Sequence, residues 1–330
     1  MDNIMKKLEK TLVPFGSKLA TNNVLSSIRD GIAAVMPIIM VGSLALIIKN
    51  FPTATDPTKD KWAQFLAGDG QGFADFLVKI WYASFGIMAL VSVFGIAYNY
   101  AQRKGVDGFS SAVIALASYI VTLPLAVTQL DKKTFSTGID FGQLGSNGLF
   151  GAILVGVISS VIFTFFVKHK ITIKMPDTVP PAVANSFMAL IPGFVILVFW
   201  NLVATLLAKT DLHSINNMME TLLGKPLESF GGSLIGVIVV ATLTSLFWFV
   251  GVHGGNITGA IMGPIYLNMM ANNLKNYQAH KFLENIVTTP FMDMFVYLGG
   301  GGATLGLVIV LTLFAKSKQN KTMKPLVMVP

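Results

Sequence analysis

The chain has 330 residues, 53% hydrophobic and only 12% charged, with a formal net charge of +8 and a mean hydropathy of +0.66. A water-soluble globular chain carries roughly a quarter charged residues, so this composition excludes a soluble fold. Its surplus lysines flank apolar runs as they do beside membrane spans, which argues against a nucleic-acid partner. Cysteine is absent, so disulfides, thiolate metal sites and thiol chemistry are not available within this chain.

Met1–Arg29 places Ile4, Leu8, Leu12, Phe15 and Leu19 at helical spacing among Lys6, Lys7, Lys10 and Lys18. That pattern predicts an amphipathic helix on the membrane face, not a cleaved signal peptide. Seven uncharged windows follow: Gly31–Ile48, Ile80–Gln102, Gly108–Leu130, Phe141–Val167, Thr178–Ala208, Ser229–Leu274 and Met294–Ala315. A helix of about 20 residues crosses the apolar core of a bilayer. The first five windows and the last are therefore expected to make one crossing each. Continuous apolarity is unlike the alternating strands of a membrane barrel, and helices satisfy their own backbone hydrogen bonds in lipid. The expected fold is an all-α integral membrane protein, a multi-span helical bundle with a re-entrant or broken-helix segment and amphipathic interfacial helices.

Between the fourth and fifth windows, Lys174–Ala182 holds Pro176, Pro180 and Pro181 behind Lys168, His169, Lys170 and Lys174. Such a stiff, extended segment suits a rigid connector, a partner-docking loop or a gate. In the connector Asp211–Phe230, Ile215, Met218, Met219, Leu222 and Leu223 fall at helical spacing, predicting a surface-lying amphipathic helix.

The sixth window is 46 residues long, too many for one helix. It holds either one span with a re-entrant hairpin or two crossings. With the N-terminus inside, the first option places 12 Lys and Arg on each side, and the second places 14 inside against 10 outside. The positive-inside rule favours the second, with both ends cytoplasmic. Within this window Gly251, Gly255, Gly259 and Gly263 recur every four residues, a smooth ridge if helical. The ridge serves either close packing or the approach of a ligand. On such a helix His253 and Asn256 lie about 200° and 140° from the Gly251 direction, and Pro264 is expected to interrupt it. Glycine- and proline-broken segments at membrane depth point to a transporter's binding site. Gly299–Gly302 and Gly306 form a second flexible or close-packed point, and no Gly-Lys-Ser/Thr follows to make a phosphate loop.

Polar residues inside the membrane are functional candidates. His169, His213 and His280 sit in polar connectors and read as surface groups, whereas His253 stands inside the uncharged window beside Gly254, Gly255 and Asn256. Glycines let a ligand reach the backbone, while His and Asn supply directed donors and acceptors. Asp293, just before the last window, reads as a helix-end residue or a site acid. No metal-ligand spacing and no nucleophile–base pair accompany His253, and no cofactor is implied.

Three runs carry a family resemblance: Ile28-Arg29-Asp30-Gly31 leading to Met36-Pro37 and Gly42-Ser43; Met175-Pro176-Asp177 with Val179-Pro180-Pro181 and Ser186-Phe187; and Val252-His253-Gly254-Gly255-Asn256. In that order they resemble the membrane subunit, enzyme IIC, of the bacterial sugar phosphotransferase system, in its cellobiose, lactose and diacetylchitobiose class. The resemblance implies phosphorylation-coupled uptake of a disaccharide across the cytoplasmic (inner) membrane. The sugar binds at mid-membrane and receives a phosphoryl group from the phosphocysteine of a cytoplasmic IIB phosphoprotein, so the transport subunit shares the transferase reaction with its partner. It implies a homodimer, with residues 1–30 an amphipathic lead, 31–208 a five-helix half making the dimer contact, and 209–330 the substrate-binding half. His253 would bind a sugar hydroxyl, with Gly254, Gly255 and Asn256 lining the same pocket. The family's glutamate, in an Asn-Glu-Pro motif, is expected beyond Pro330, so the catalytic residue is unknown and the chain is expected to be truncated. An ion-coupled secondary transporter of a polar solute, with His253 or Asp293 handling protons, is the alternative.

Overall fold

The computed structural model describes residues 10, 14, 16–51, 60–131, 134–176, 178–249, 253–279, 281–297, 309 and 313. The chain divides into two compact units, Asp30–Leu223 and Met1–Arg29 with Gly224–Pro330. The division falls at Leu223/Gly224, and the N-terminal lead groups with the C-terminal residues.

The first unit is built from α1 (Asn23–Ala33, from Asp30 onward), α2 (Met36–Lys49), α3 (Lys61–Ala67), α4 (Gln71–Tyr82), α5 (Met88–Arg103) and α6 (Gly108–Thr122). After a β1–β2 hairpin (Leu125–Asp131 and Thr134–Ile139) come α7 (Phe141–Leu144), α8 (Leu149–Lys168), α9 (Pro181–Met188), α10 (Leu190–Leu207) and α11 (Ile215–Met219). Aspartates start several of these helices. Asp60 accepts from the amides of Trp62 and Ala63, Asp107 from Phe109 and Ser110, and Asp140 from Gly142. Each covers amides that a helix leaves unpaired at its start. Gly105, at φ +71°, turns the chain between α5 and α6.

Helices α5, α6, α8 and α10 pack together through small residues. Ala89, Ala97, Ala101, Ala112, Ala115, Ser92, Ser111, Ser159 and Ser160 are all buried, which lets backbones approach closely where lipid gives no hydrophobic push. The outer surface is apolar instead: Met40 is 66% exposed and Phe194 70%, an inversion of a soluble fold that lipid contact explains. One buried polar knot crosses this bundle. The Tyr119 hydroxyl donates to the Gln143 carbonyl at 2.6 Å, and Asn216 Nδ2 donates to the Tyr119 hydroxyl at 3.1 Å and to Gln143 Oε1 at 2.6 Å.

Two of the runs behind the family resemblance find a physical role here. Asp30 pairs with Arg103 at the end of α5. A Cβ on Gly31 would lie 2.4 Å from the Ile96 backbone nitrogen, and one on Gly42 would lie 1.9 Å from Ser84 Oγ. Both glycines are places where helices touch through bare backbone. Pro181 opens α9 behind Pro180, where a missing amide is harmless. Asp177 lies outside the described residues.

Among the described residues, four runs are long and apolar enough to cross a bilayer: Asn23–Lys49, Gln71–Arg103, Ser146–Lys168 and Pro181–Leu207. A fifth arises if Ile215–Gly231 and Leu234–Phe249, bent by 84°, count as one span. Four of the expected windows thus become spans. The third does not: α6 ends at Thr122, 15 residues long, too short for the ~30 Å core. Pro124 is the reason, because it lacks a donor and forces Leu123 out of the helical region; Leu123 is extended at ψ 135°. The chain then turns into the antiparallel β1–β2 pair, a local exception to the all-helical expectation. Window seven lies almost wholly outside the described residues, as do Gly299–Gly302, Gly306 and most of the N-terminal amphipathic segment.

The expected connector helix forms, but its periodicity slips. A π-helical turn at Glu220–Gly224 follows α11, and the chain continues as α12 (Lys225–Gly231). Ile215 and Met219 are buried while Leu222 and Leu223 are exposed, because the wider turn rotates them off the shared face.

In the second unit α12 leads into α13 (Leu234–Phe249), α14 (Gly254–Gln278) and α15 (Thr289–Phe291), the last followed by a π turn at Met292–Val296. The overlong sixth window is therefore a helical hairpin. Its two legs, α13 and α14, pack together. Pro264 does not interrupt α14, which runs through it for 25 residues. The ring removes one bond, to the Ala260 carbonyl, and packed transmembrane helices accommodate such a loss.

Candidate functional site at the hairpin tip

The tip is held by pairs that the sequence does not place together. Thr244 on α13 and Thr258 on α14 are buried, with their hydroxyl oxygens 2.9 Å apart. Thr244 Oγ1 also donates to the Val240 carbonyl and Thr258 Oγ1 to the Gly254 carbonyl. Two hydroxyl hydrogens serve three close contacts, so one is shared. This staple satisfies polar atoms that lipid would leave unpaired.

Gly254 makes the approach possible. A Cβ there would lie 2.1 Å from the Thr244 carbonyl oxygen and 3.0 Å from Trp248 Cδ1. It is buried and packs against the facing leg. The glycine ridge behaves the opposite way. Gly255 would meet only the His253 ring, at 3.5 Å, and Gly259 and Gly263 would meet nothing within 4 Å. The packing use of the ridge thus finds no partner among the described residues, which leave that face open. Gly251 and Val252 lie outside those residues.

His253 immediately precedes α14 and is exposed. Its ring lies 4.3 Å from that of Trp248, tilted by 48°. Trp248 is 40% exposed, so an indole ring and an imidazole ring stand side by side at the end of a helix. Asn256 is on the first turn of α14, and its side chain lies outside the described positions. The structure thus brings together Trp248, His253, Gly254 and Gly255. Trp248, Thr244 and Thr258 went unnoticed in the sequence; the available signal for Trp248 was an aromatic five positions before the one histidine inside an uncharged window.

The remaining candidates are elsewhere. His169 stacks on Phe165 and its Nδ1 lies 2.8 Å from the Phe165 carbonyl, a helix-end contact. His213 adopts a positive φ of 54° in a connector, and His280 lies outside the described residues. Asp293 belongs to the π turn after α15. Among the described residues no three His, Cys, Asp or Glu side chains gather as a metal site.

Comparison with known proteins decides what kind of molecule carries this tip. Residues 29–330 match the family Phosphotransferase system, EIIC. The chain belongs to that family. It is 38% identical over 338 residues to the PTS system cellobiose-specific EIIC component of Geobacillus stearothermophilus, covering all of this chain and 74% of the relative. It is 38% identical over 336 residues to the Lichenan permease IIC component of Bacillus subtilis (strain 168), covering all of this chain and 73% of the relative. Its fold matches the crystal structure of the transporter ChbC, the IIC component from the N,N'-diacetylchitobiose-specific phosphotransferase system. That match has a TM-score of 0.85 and 36% identity, over 98% of this chain and 75% of that one. The chain is therefore an EIIC permease, a multi-span membrane protein of phosphorylation-coupled sugar uptake that works with a IIB partner. Family membership sets aside the ion-coupled alternative.

Proposed function

We propose that this EIIC protein carries a disaccharide of the cellobiose or diacetylchitobiose type, held at the α13–α14 tip. The observation that carries this is the Trp248–His253 pair beside the open glycine face. A sugar ring offers an apolar C–H face and a rim of hydroxyls, and the tip offers an aromatic face and a hydrogen-bonding ring edge. Gly255 leaves room for the sugar to approach the first turn of α14, where a helix leaves amide donors without intrahelical partners. Names of the relatives support the class: cellobiose for one EIIC protein and diacetylchitobiose for another. His253 binds a hydroxyl. The S–P bond of the IIB phosphocysteine then breaks as a sugar oxygen forms the new O–P bond, and the hydroxyl's proton ends on the freed cysteine thiolate, leaving a thiol and a sugar phosphate.

Residues 31–208 supply the contact between two copies, and residues 209–330 hold the sugar. The N-terminus is cytoplasmic, a reading supported by Lys6, Lys7, Lys10, Lys18 and Arg29 ahead of the first uncharged window.

Cellobiose binding to the purified protein tests the site. His253→Ala and Trp248→Ala are each expected to weaken it by about 1–3 kcal/mol, or about 5- to 150-fold. Unchanged affinity in both variants would refute the assignment. Vesicle uptake that persists without phosphorylated IIB and collapses with the proton gradient would overturn the coupling.

A further inference from the structure

At the other end of the same hairpin lies a second concave surface. About 22 Å along α14 from its first residue, the C-terminal half of α14, α12 and the segment 281–288 border an open cavity of about 390 Å³. Lys225, Glu228, Ser229, Glu284, Asn285 and Met269 line it. This volume lies within the range of small-molecule sites.

Its walls are fixed by side chains that the tip does not use. Asn268 Nδ2 donates to Glu228 and sets that carboxylate on the wall. The Asn273 side chain clamps the main chain of Asn285 like a neighbouring strand, accepting from its amide at 3.0 Å and donating to its carbonyl at 2.6 Å. Asn285 Nδ2 in turn donates to the Met269 carbonyl at 3.3 Å. Ser233 donates to the Phe230 carbonyl and accepts from the Gly236 amide, fixing the corner between α12 and α13. A cavity with preset walls forfeits little ordering entropy when it is filled.

Charge and chemistry narrow the occupant. Two carboxylates against one ammonium repel anions, including a phosphorylated sugar, and among the described residues no third acid or histidine joins them to hold a metal ion. What remains is a set of acceptors and donors above the apolar Met269 side chain, suited to a neutral polyhydroxylated ligand. We propose that this cavity is a second glycoside-binding site, a capture site for unphosphorylated disaccharide at the open end of the hairpin. The substrate class rests on the function proposed above; the location is independent of the tip.

The cysteine-free chain makes the test direct. Ser229 is exposed on the cavity wall, and Ser229→Cys installs the only thiol in the protein. Alkylation of that thiol by a maleimide is timed in the purified protein with and without cellobiose, with sorbitol as an osmotic control. Cellobiose at twice its dissociation constant for the cavity leaves a third of sites empty, so alkylation slows about threefold. The same slowing is expected in the Ser229→Cys, His253→Ala double variant. An alkylation rate indifferent to cellobiose up to its solubility limit overturns the proposal, as does equal slowing by sorbitol or protection that disappears with His253→Ala. Should His253→Ala leave overall cellobiose affinity intact while the introduced thiol is still protected, the tip assignment fails and the cavity stands.

Discussion

Gly254 and Gly259 share one helix, yet replacing each by alanine should move stability in opposite directions. A Cβ at Gly254 would sit 2.1 Å from the Thr244 carbonyl oxygen, whereas real Cβ contacts essentially never fall below 3.0 Å. The legs of the hairpin must therefore part by about 0.9 Å there. The Thr244–Thr258 oxygens, now 2.9 Å apart, would move to about 3.8 Å, beyond hydrogen-bond reach. Overpacking strain costs about 1–3 kcal/mol and the lost bond about 0.5–1.5 kcal/mol, so Gly254→Ala should destabilise by about 2–4 kcal/mol. At Gly259 an added Cβ meets nothing within 4 Å, leaving only the gain in helix propensity of about 1 kcal/mol. Thermal unfolding in detergent, followed by tryptophan fluorescence, checks the pair. Gly254→Ala should melt about 5–15 °C below the parent protein, and Gly259→Ala at or slightly above it. A Gly254→Ala protein as stable as its parent would show that the legs do not meet through bare backbone.

Tyr119→Phe removes the hydroxyl that accepts from Asn216, and a loss of about 1–2 kcal/mol in the same melting assay is expected from a buried group left short of a partner. Gly31→Ala drives a methyl to within 2.4 Å of the Ile96 backbone, where no side-chain rotation relieves it; the protein should express poorly or melt about 2–4 kcal/mol less stable. Arg103→Ala breaks a pair whose side chains are 35% and 28% exposed, so less than about 1 kcal/mol should be lost, and a larger drop would mark the pair as more than a surface contact.

Much of the fold was legible because lipid imposes a simple rule: charge is kept out of spans. Counting uncharged residues located the runs ending at Lys49, Arg103, Lys168 and Leu207 without any knowledge of packing. The same count failed at Gly108–Leu130, since absence of charge says nothing of where a helix stops and Pro124 stops it. It failed differently for Leu222 and Leu223, whose spacing assumes 3.6 residues per turn while the chain adopts a wider one. At the tip, His253 was legible because it was the one histidine in an uncharged window. Trp248 and Thr244 were not, because their importance lies on the facing leg, and hairpin register is a tertiary fact.

The glycines show most plainly where sequence periodicity ends and structure begins. A four-residue repeat identifies residues on one face of a helix but not what lies opposite that face. Gly255, Gly259 and Gly263 repeat, and a Cβ on them would meet only the His253 ring at the first and no described neighbour at the other two; Gly254 stands outside the repeat and is the one of the four pressed against a neighbouring backbone. The two arrangements serve one end. Contact at Gly254 locks the legs and brings the buried threonine hydroxyls together, so the polar atoms of the tip are satisfied before any ligand arrives. Beside His253 and Trp248, Gly259 and Gly263 meet no described neighbour within 4 Å, so support and space come from different glycines of one helix. Under the proposed function a sugar site at the tip would need both properties, rigid support and unfilled space, and adjacent glycines at 254 and 255 would divide that labour between them.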